Sequence, residues 1–539
     1  MIRRAYVTVG ERQVHLRYAG QGPAVVLIHQ SPTSARTLDL QTAAFARAGF
    51  TALALDIPGL GRSDPLDVPR PEIEDLAIGL AETLDALRLK RVALYGSHTG
   101  ALTCTEFAVR WPERVSALLI DGYPVYSDDE RARRVATYFP PFQVRWDGSH
   151  LLWLWHRYRE QHLFWPWNIP GRVTQARCDV PDANFLHEGV IDILRSGNGY
   201  RLPYAAAFRC RSAGLVARLR VPTYFLAYPD DSLAANLALL KDLPAGCRIE
   251  PMPLDRAAGL AKEIELLRAH LPESGSAVLR TKPRQHGITK SYVDAGGIQL
   301  ALRSAGREGS RPLLVIPPAP GSASMLTGEI EQFAKTRQVL AVDAPGCGDS
   351  DSLAELSVPA MAAAVGQALD TLGIGEPDAY ALNGGCAVAI ELSGASRKLR
   401  RVVLDAPARP HRDMPDYAAN YAPPIVPRWD GSHLISLWHA TRNRRLFRPW
   451  FDQRLEARYT AEPALEPDAI NQEVLGCLES WRTWHLAWRA VLGFPVPKGT
   501  PNARLAARAS DEFFQEESYV ELPEPLLPRV RRILEMMEG

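Results

Sequence analysis

The stretch Gly96-Ser97-His98-Thr99-Gly100 follows the apolar run "RVALY" and precedes a helical pattern. A strained strand-to-helix turn that exposes one reactive side chain needs small residues two positions to either side of it. With His98 at the centre the flanks are Gly96 and Gly100, which fit. With Ser97 at the centre they are Tyr95 and Thr99, both of which carry a Cβ. The spacing therefore puts an imidazole where an attacking side chain is expected. Imidazole at neutral pH can take or give a proton, or attack an acyl carbon itself. The positive end of the following helix is expected to favour its neutral form. No HxH, HExxH or Walker pattern occurs, so no metal or cofactor is expected.

The elements that must hold this residue are legible from the apolar periodicity. In the first half, "AYVTVG", "QVHLRYAG", "AVVLIHQ", "TALALDIP", "RVALYG", "VSALLID", "TYFLAYP" and "RIEPMP" read as strands. Runs as continuously apolar as "AVVLI" suit strands covered on both faces. Helical patterns such as "EDLAIGLAETLDALRL" lie between them, which predicts βαβ units and a mostly parallel, doubly wound α/β sheet.

The chain also repeats. "RWDGSHLLWLWH" at 145–156 returns as "RWDGSHLISLWH" at 428–439, and "LALDIPGLGRSD" at 53–64 as "LAVDAPGCGDSD" at 340–351. "LFWPW" at 163–167 returns as "LFRPW" at 446–450, and "LLIDGYP" at 118–124 as "VVLDAPA" at 402–408. The offset stays between 283 and 287 residues, which predicts two homologous domains at 1–275 and 288–539, joined by a polar stretch at 276–287. A net charge of +1 argues against nucleic acid, and no apolar run is long enough for a membrane span. Seven scattered cysteines without a CxxC pair suit reduced thiols in the cytoplasm. The expected partner is a small-molecule substrate; a monomer and a homo-oligomer both fit the composition.

The motif order "HQSP" (29–32), "DIPGLGRSD" (56–64), "GSHTG" (96–100) and "PTYFLAYPDDSL" (222–233) resembles the lidded α/β-hydrolase superfamily, of the epoxide-hydrolase and haloalkane-dehalogenase kind. The resemblance covers nearly the whole chain, twice. It implies two tandem α/β-hydrolase folds, each with a helical cap at about 125–215 and 409–495. It makes His98 the elbow residue and the backbone N–H groups of Gln30 and Thr99 an oxyanion hole. It points to Asp231 as the acid, with Asp230 its neighbour and Asp121 the alternative. Ser31, Trp153, Tyr204 and Phe208 are the expected substrate-pocket residues. The family's histidine should follow the eighth strand, where "IEPMPLDRAAGL" has none; His270 comes too late. In the second copy, "NGGCA" (383–387) aligns Gly385 with His98, which implies an inactive copy.

Eleven of twelve tryptophans fall in the two cap segments, a pattern that serves core packing or an apolar pocket wall. "WDGSH" persists in both copies, so a structural role for Asp147, Ser149 and His150 is favoured over a catalytic one. Three functions stay open. One is a hydrolase of a small apolar or aromatic ester, acyl or C–C substrate. Another is a lyase or decarboxylase that uses His98 as acid and base. The third is a binding or scaffold protein without turnover.

Overall fold

A computed structural model describes the chain except residues 177, 272–276, 280–281, 396–398, 409–413, 415, 461, 496–502, 509–518 and 539. The predicted joining stretch 276–287 therefore lies partly outside the described residues. The chain forms two compact units: Met1–Gln143 with Trp153–Arg284, and Val144–Leu152 with Gln285–Gly539.

The first unit is built on β1 (Arg3–Val9), β2 (Arg12–Ala19), β3 (Ala24–Ile28), β4 (Thr51–Leu55), β5 (Val92–Ser97), β6 (Val115–Asp121), β7 (Thr223–Ala227) and β8 (Cys247–Pro251). They form one sheet in the order β1-β2-β4-β3-β5-β6-β7-β8. β1 and β2 pair antiparallel, as do β2 and β4, and every later neighbour is parallel. The strands with unbroken apolar sequence are those covered on both faces: all of β3 and all of β5 are buried. That burial is what removes water from the sheet and fixes the strand ends that carry the site.

The second unit repeats the design with β9 (Thr289–Ala295), β10 (Ile298–Ala305), β11 (Pro312–Ile316), β12 (Gln338–Val342), β13 (Asp378–Leu382), β14 (Val402–Asp405), β15 (Ala503–Arg508) and β16 (Val520–Leu522). Their order is β9-β10-β12-β11-β13-β14-β15-β16, the same topology as the first sheet. The fold is thus two tandem, mostly parallel α/β sheets.

Between β6 and β7 the chain inserts helices at Asp128–Thr137, Ser149–Leu163, Ala183–Ser196, Arg201–Arg209 and Ser212–Val216. Between β14 and β15 it inserts helices at Tyr417–Tyr421, Ser432–Asn443, Pro467–Glu479 and Trp484–Leu492. The repeated "WDGSH" makes the same local turn in both copies. The N–H of Ser149 donates to Asp147 Oδ1 at 3.1 Å, and that of Ser432 to Asp430 Oδ1 at 3.1 Å. The N–H of Arg145 donates to His150 Nδ1 at 3.2 Å, and that of Arg428 to His433 Nδ1 at 3.1 Å. These contacts occupy the motif's polar groups with starting a helix. No helix among the described residues is long and apolar enough to cross a membrane.

Candidate active site

β5 ends at Ser97 and the next helix, Thr99–Arg110, begins one residue after His98. His98 carries the turn, with φ 48° and ψ −102°. A side chain held in that region stores strain that the surrounding fold must support. The flanking glycines are sterically required. A Cβ on Gly96 would stand 2.5 Å from Gly100 O, and one on Gly100 would stand 2.1 Å from Ile28 O. Ser97 instead remains a buried strand residue.

The imidazole is held from two sides. Its Nε2 lies 3.4 Å from Asp231 Oδ1, with His98 27 % and Asp231 10 % exposed at the side chain. Its Nε2–Cδ2 edge packs on Gly122, where a Cβ would come within 2.4 Å of Nε2 and 2.3 Å of Cδ2. Gly122, at φ +70°, therefore makes room for the ring, a role the sequence did not announce. Nδ1 lies on the opposite edge and has no polar partner among the described residues. Asp231 Oδ1 also accepts the Leu233 N–H at 3.0 Å, while Oδ2 is buried without a partner.

Burial alone would lower the His98 pKa, but the contact with Asp231 and the charges of Asp231 and Asp121 outweigh it, and the net shift is upward. The direction is opposite to the one the helix end alone would give, because the carboxylate partner outweighs burial. For Asp231, burial opposes ionisation, but the partnership with His98 and the Leu233 N–H holds its pKa below the ordinary value.

The other acids are placed differently. Asp230 is exposed. The Asp121 side chain takes the Tyr95 hydroxyl at 2.7 Å on Oδ2, and its backbone carbonyl takes the His98 N–H at 2.9 Å. Asp121 therefore acts on His98 through charge and backbone rather than as its side-chain partner. After β8 the chain turns into the helix Arg256–Arg268, capped by Asp255, and brings no imidazole. His270 is engaged with the Tyr224 hydroxyl at 2.7 Å.

The N–H groups of Gln30 and Thr99 have no partner among the described residues. His29 braces the Gln30 loop: its Nε2 accepts the Ile57 N–H at 2.9 Å, so Nδ1 carries the proton and donates to Gln30 O at 2.8 Å. Ser31 sits at the turn, its N–H 3.4 Å from Thr99 Oγ1, with its own hydroxyl buried and unpartnered. Tyr204 and Phe208 belong to an aromatic cluster: Tyr204 bonds the Tyr138 hydroxyl at 3.1 Å, and Phe208 packs on Tyr138 at 4.9 Å. Tyr126, which the sequence did not single out, packs on Phe208 at 5.7 Å and has a buried, unpartnered hydroxyl. Burial is the main cause that raises its pKa. Trp153 stacks on Phe142 at 6.2 Å, and no contact joins it to His98 among the described residues.

The second elbow requires a correction. β3 pairs with β5 at Ile28↔Gly96, and β11 pairs with β13 at Ile316↔Ala381. Matching these registers puts Asn383, not Gly385, at the position of His98. Asn383 has φ 51°, and Tyr380 donates to Asp405 Oδ2 at 2.6 Å as Tyr95 does to Asp121. The sequence alignment slid by two residues because only one flanking glycine survives: Ala381 stands at Gly96, and the adjacent Gly384 and Gly385 leave the local rule without a unique centre. Gly385 is the counterpart of Gly100, and a Cβ there would stand 2.3 Å from Pro317 O. The same register places Pro318, which has no N–H, at Gln30 and Gly384 at Thr99. The Gly384 N–H donates to the Asn383 side chain at 2.8 Å. The counterpart of Asp231 falls outside the described residues.

Residues 23–151 match the family described as the alpha/beta hydrolase fold. The 2-hydroxy-6-oxononadienedioate/2-hydroxy-6-oxononatrienedioate hydrolase of Burkholderia vietnamiensis is 35% identical over 120 residues, 21% of this chain and 40% of that protein. The bifunctional epoxide hydrolase 2 of Sus scrofa is 34% identical over 107 residues, 20% of this chain and 19% of that protein. The chain thus spans less than half the length of these relatives. The solved epoxide hydrolase A of Mycobacterium thermoresistibile aligns with a TM-score of 0.40 at 20% identity, over 52% of this chain and 100% of that one.

Proposed function

We propose, for a chain that belongs to the α/β-hydrolase superfamily, that the first unit is a hydrolase of a small apolar or aromatic ester, acyl or C–C substrate, with His98 as its central catalytic residue. The observation that carries this is a strained His98 whose Nε2 faces Asp231 while Nδ1 stays uncommitted. A carboxylate on one nitrogen keeps the proton there and leaves a lone pair on the other. His98 then acts as general base. Nδ1 removes a proton from water as its oxygen adds to the substrate carbonyl. The oxyanion rests on the N–H groups of Gln30 and Thr99. The tetrahedral adduct collapses, the bond to the leaving group breaks, and the imidazolium returns its proton to that group. Asp231 supports the positive ring throughout. Direct attack by Nδ1 is the weaker route, since one imidazole cannot both hold the acyl group and activate water for its release.

A second reading, a lyase or decarboxylase with His98 shuttling a proton, is favoured by the presence of a single imidazole at the site. The two differ in where the product's oxygen comes from. Turnover of short nitrophenyl esters and thioesters in H₂¹⁸O, with His98→Ala alongside, tests the proposal. Label in the acid product and loss of turnover in the variant support it. Undiminished turnover by His98→Ala overturns it.

A further inference from the structure

The second unit carries Asn383 and Pro318 where the first carries His98 and Gln30, and it holds a chamber beneath its inserted helices. This cavity, about 340 Å³, includes Asn383 and Pro318 in its lining, and its lining among the described residues belongs to the second unit. That size suits a small molecule. One wall is aromatic. Tyr417 and Tyr421 stack at 5.4 Å and 25°, and Trp488 meets Tyr421 edge-on at 5.0 Å. Trp488 is 7% exposed, and its indole N–H is buried without a partner. Cations stand beside it, with Arg444 over the Trp484 ring at 5.8 Å. Arg444, Arg445 and Arg448 line the cavity, and Asp405 and Glu473 are the carboxylates in its lining among the described residues. Asp405 is occupied by the Tyr380 hydroxyl at 2.6 Å. Glu473 is shared, at 3.2 Å from Arg444 and 3.0 Å from Arg445. Arg444 Nε is a second buried donor without a partner.

A buried donor left unsatisfied is costly unless something fills it, and an aromatic wall beside two such donors, one of them on a guanidinium, selects a flat anion. We infer that the second unit is a non-catalytic binding site for a small aromatic carboxylate, its ring against the Tyr421–Trp488 wall and its carboxylate on the orphaned Arg444 and Trp488 donors. The elbow beneath it cannot process such a ligand, because Asn383 spends its side chain on the Gly384 N–H and Pro318 supplies no second donor. Binding here does not depend on whether the first unit hydrolyses anything.

The test is calorimetric titration of the full chain with 1-naphthoate, and with 1-naphthalenemethanol as its uncharged counterpart. The expected result is binding of the carboxylate that is weakened about tenfold or more by Arg444→Gln, with the alcohol bound at least about tenfold more weakly. Ala408→Phe fills the chamber from a half-buried lining position and abolishes binding, which keeps the test open should Arg444→Gln fail to fold. No binding at millimolar carboxylate, equal binding of the alcohol, or affinity unchanged by both variants overturns the assignment.

Discussion

The two elbows share a backbone turn and differ in the side chains it carries. Both turns hold a non-glycine residue at positive φ, and both keep a tyrosine bonded to the aspartate of the next strand. In the first unit the central residue is His98, the space beside it is opened by Gly122, and Gln30 offers an N–H. In the second unit Asn383 is the central residue, Ala406 stands at Gly122's place, and Pro318 offers none. The backbone strain is therefore a property of the strand–turn–helix and not of the reaction. What distinguishes the units is side-chain volume and one backbone donor. His98 with Gly122 forms a matched pair of large and small, and Asn383 with Ala406 is another.

Converting the first elbow toward the second should break the difference in steps. His98→Asn places the second unit's residue in the first and removes the only imidazole of the site. Turnover of the substrate found in the ester panel should fall by about 10³-fold, within the range for losing a general base, as measured by kcat/KM. Gln30→Pro deletes the N–H proposed as an oxyanion donor and should reduce kcat by about 10²–10³-fold while KM changes little. Gly122→Ala drives a methyl into the His98 ring and should reduce kcat by about 10²-fold through misplacement alone. Its effect should be much smaller in the His98→Asn background, where a smaller side chain faces the methyl; equal effects in both backgrounds would argue against the volume pairing.

The pH profile sharpens the same contrast. A general base works when neutral, and the His98 pKa lies above its ordinary value of 6.5. Turnover should therefore rise with pH, with an inflection above 6.5, and Asp231→Asn should move that inflection down. For stability the sign is opposite. A group whose folded pKa is raised contributes stability that is fully present below its unfolded pKa and is lost as pH rises through the folded one. The smallest effect expected is structural. His150→Ala and His433→Ala each remove an acceptor for a backbone N–H and should cost about 1 kcal/mol, read as a fall of a few degrees in the melting temperature, with turnover unchanged.

Much of this was legible without coordinates, because it depends on local pattern. Continuous apolar runs name the buried strands, and a repeat at a nearly constant offset names the duplication. Glycines two residues either side of His98 identify the turn, since only that register avoids a Cβ against Gly100 O and Ile28 O. The sequence also ranked Asp231 first among the acids, and the structure brings that residue to the imidazole while Asp230 faces solvent.

What the chain could not disclose by itself is everything that depends on where distant segments meet. Asp121 and Asp231 are both plausible partners in one dimension; only the spacing of strand ends shows that Asp121 is already taken by Tyr95. Gly122 reads as an ordinary turn glycine until the His98 ring is seen against it. The second elbow's centre could not be settled from "NGGCA", because no register there has glycine on both flanks, and hydrogen-bond register between strands is a tertiary quantity. The protonation balance of His98 was likewise a sum of opposing fields. Helix and burial point one way and two carboxylates the other, and only their distances decide which prevails.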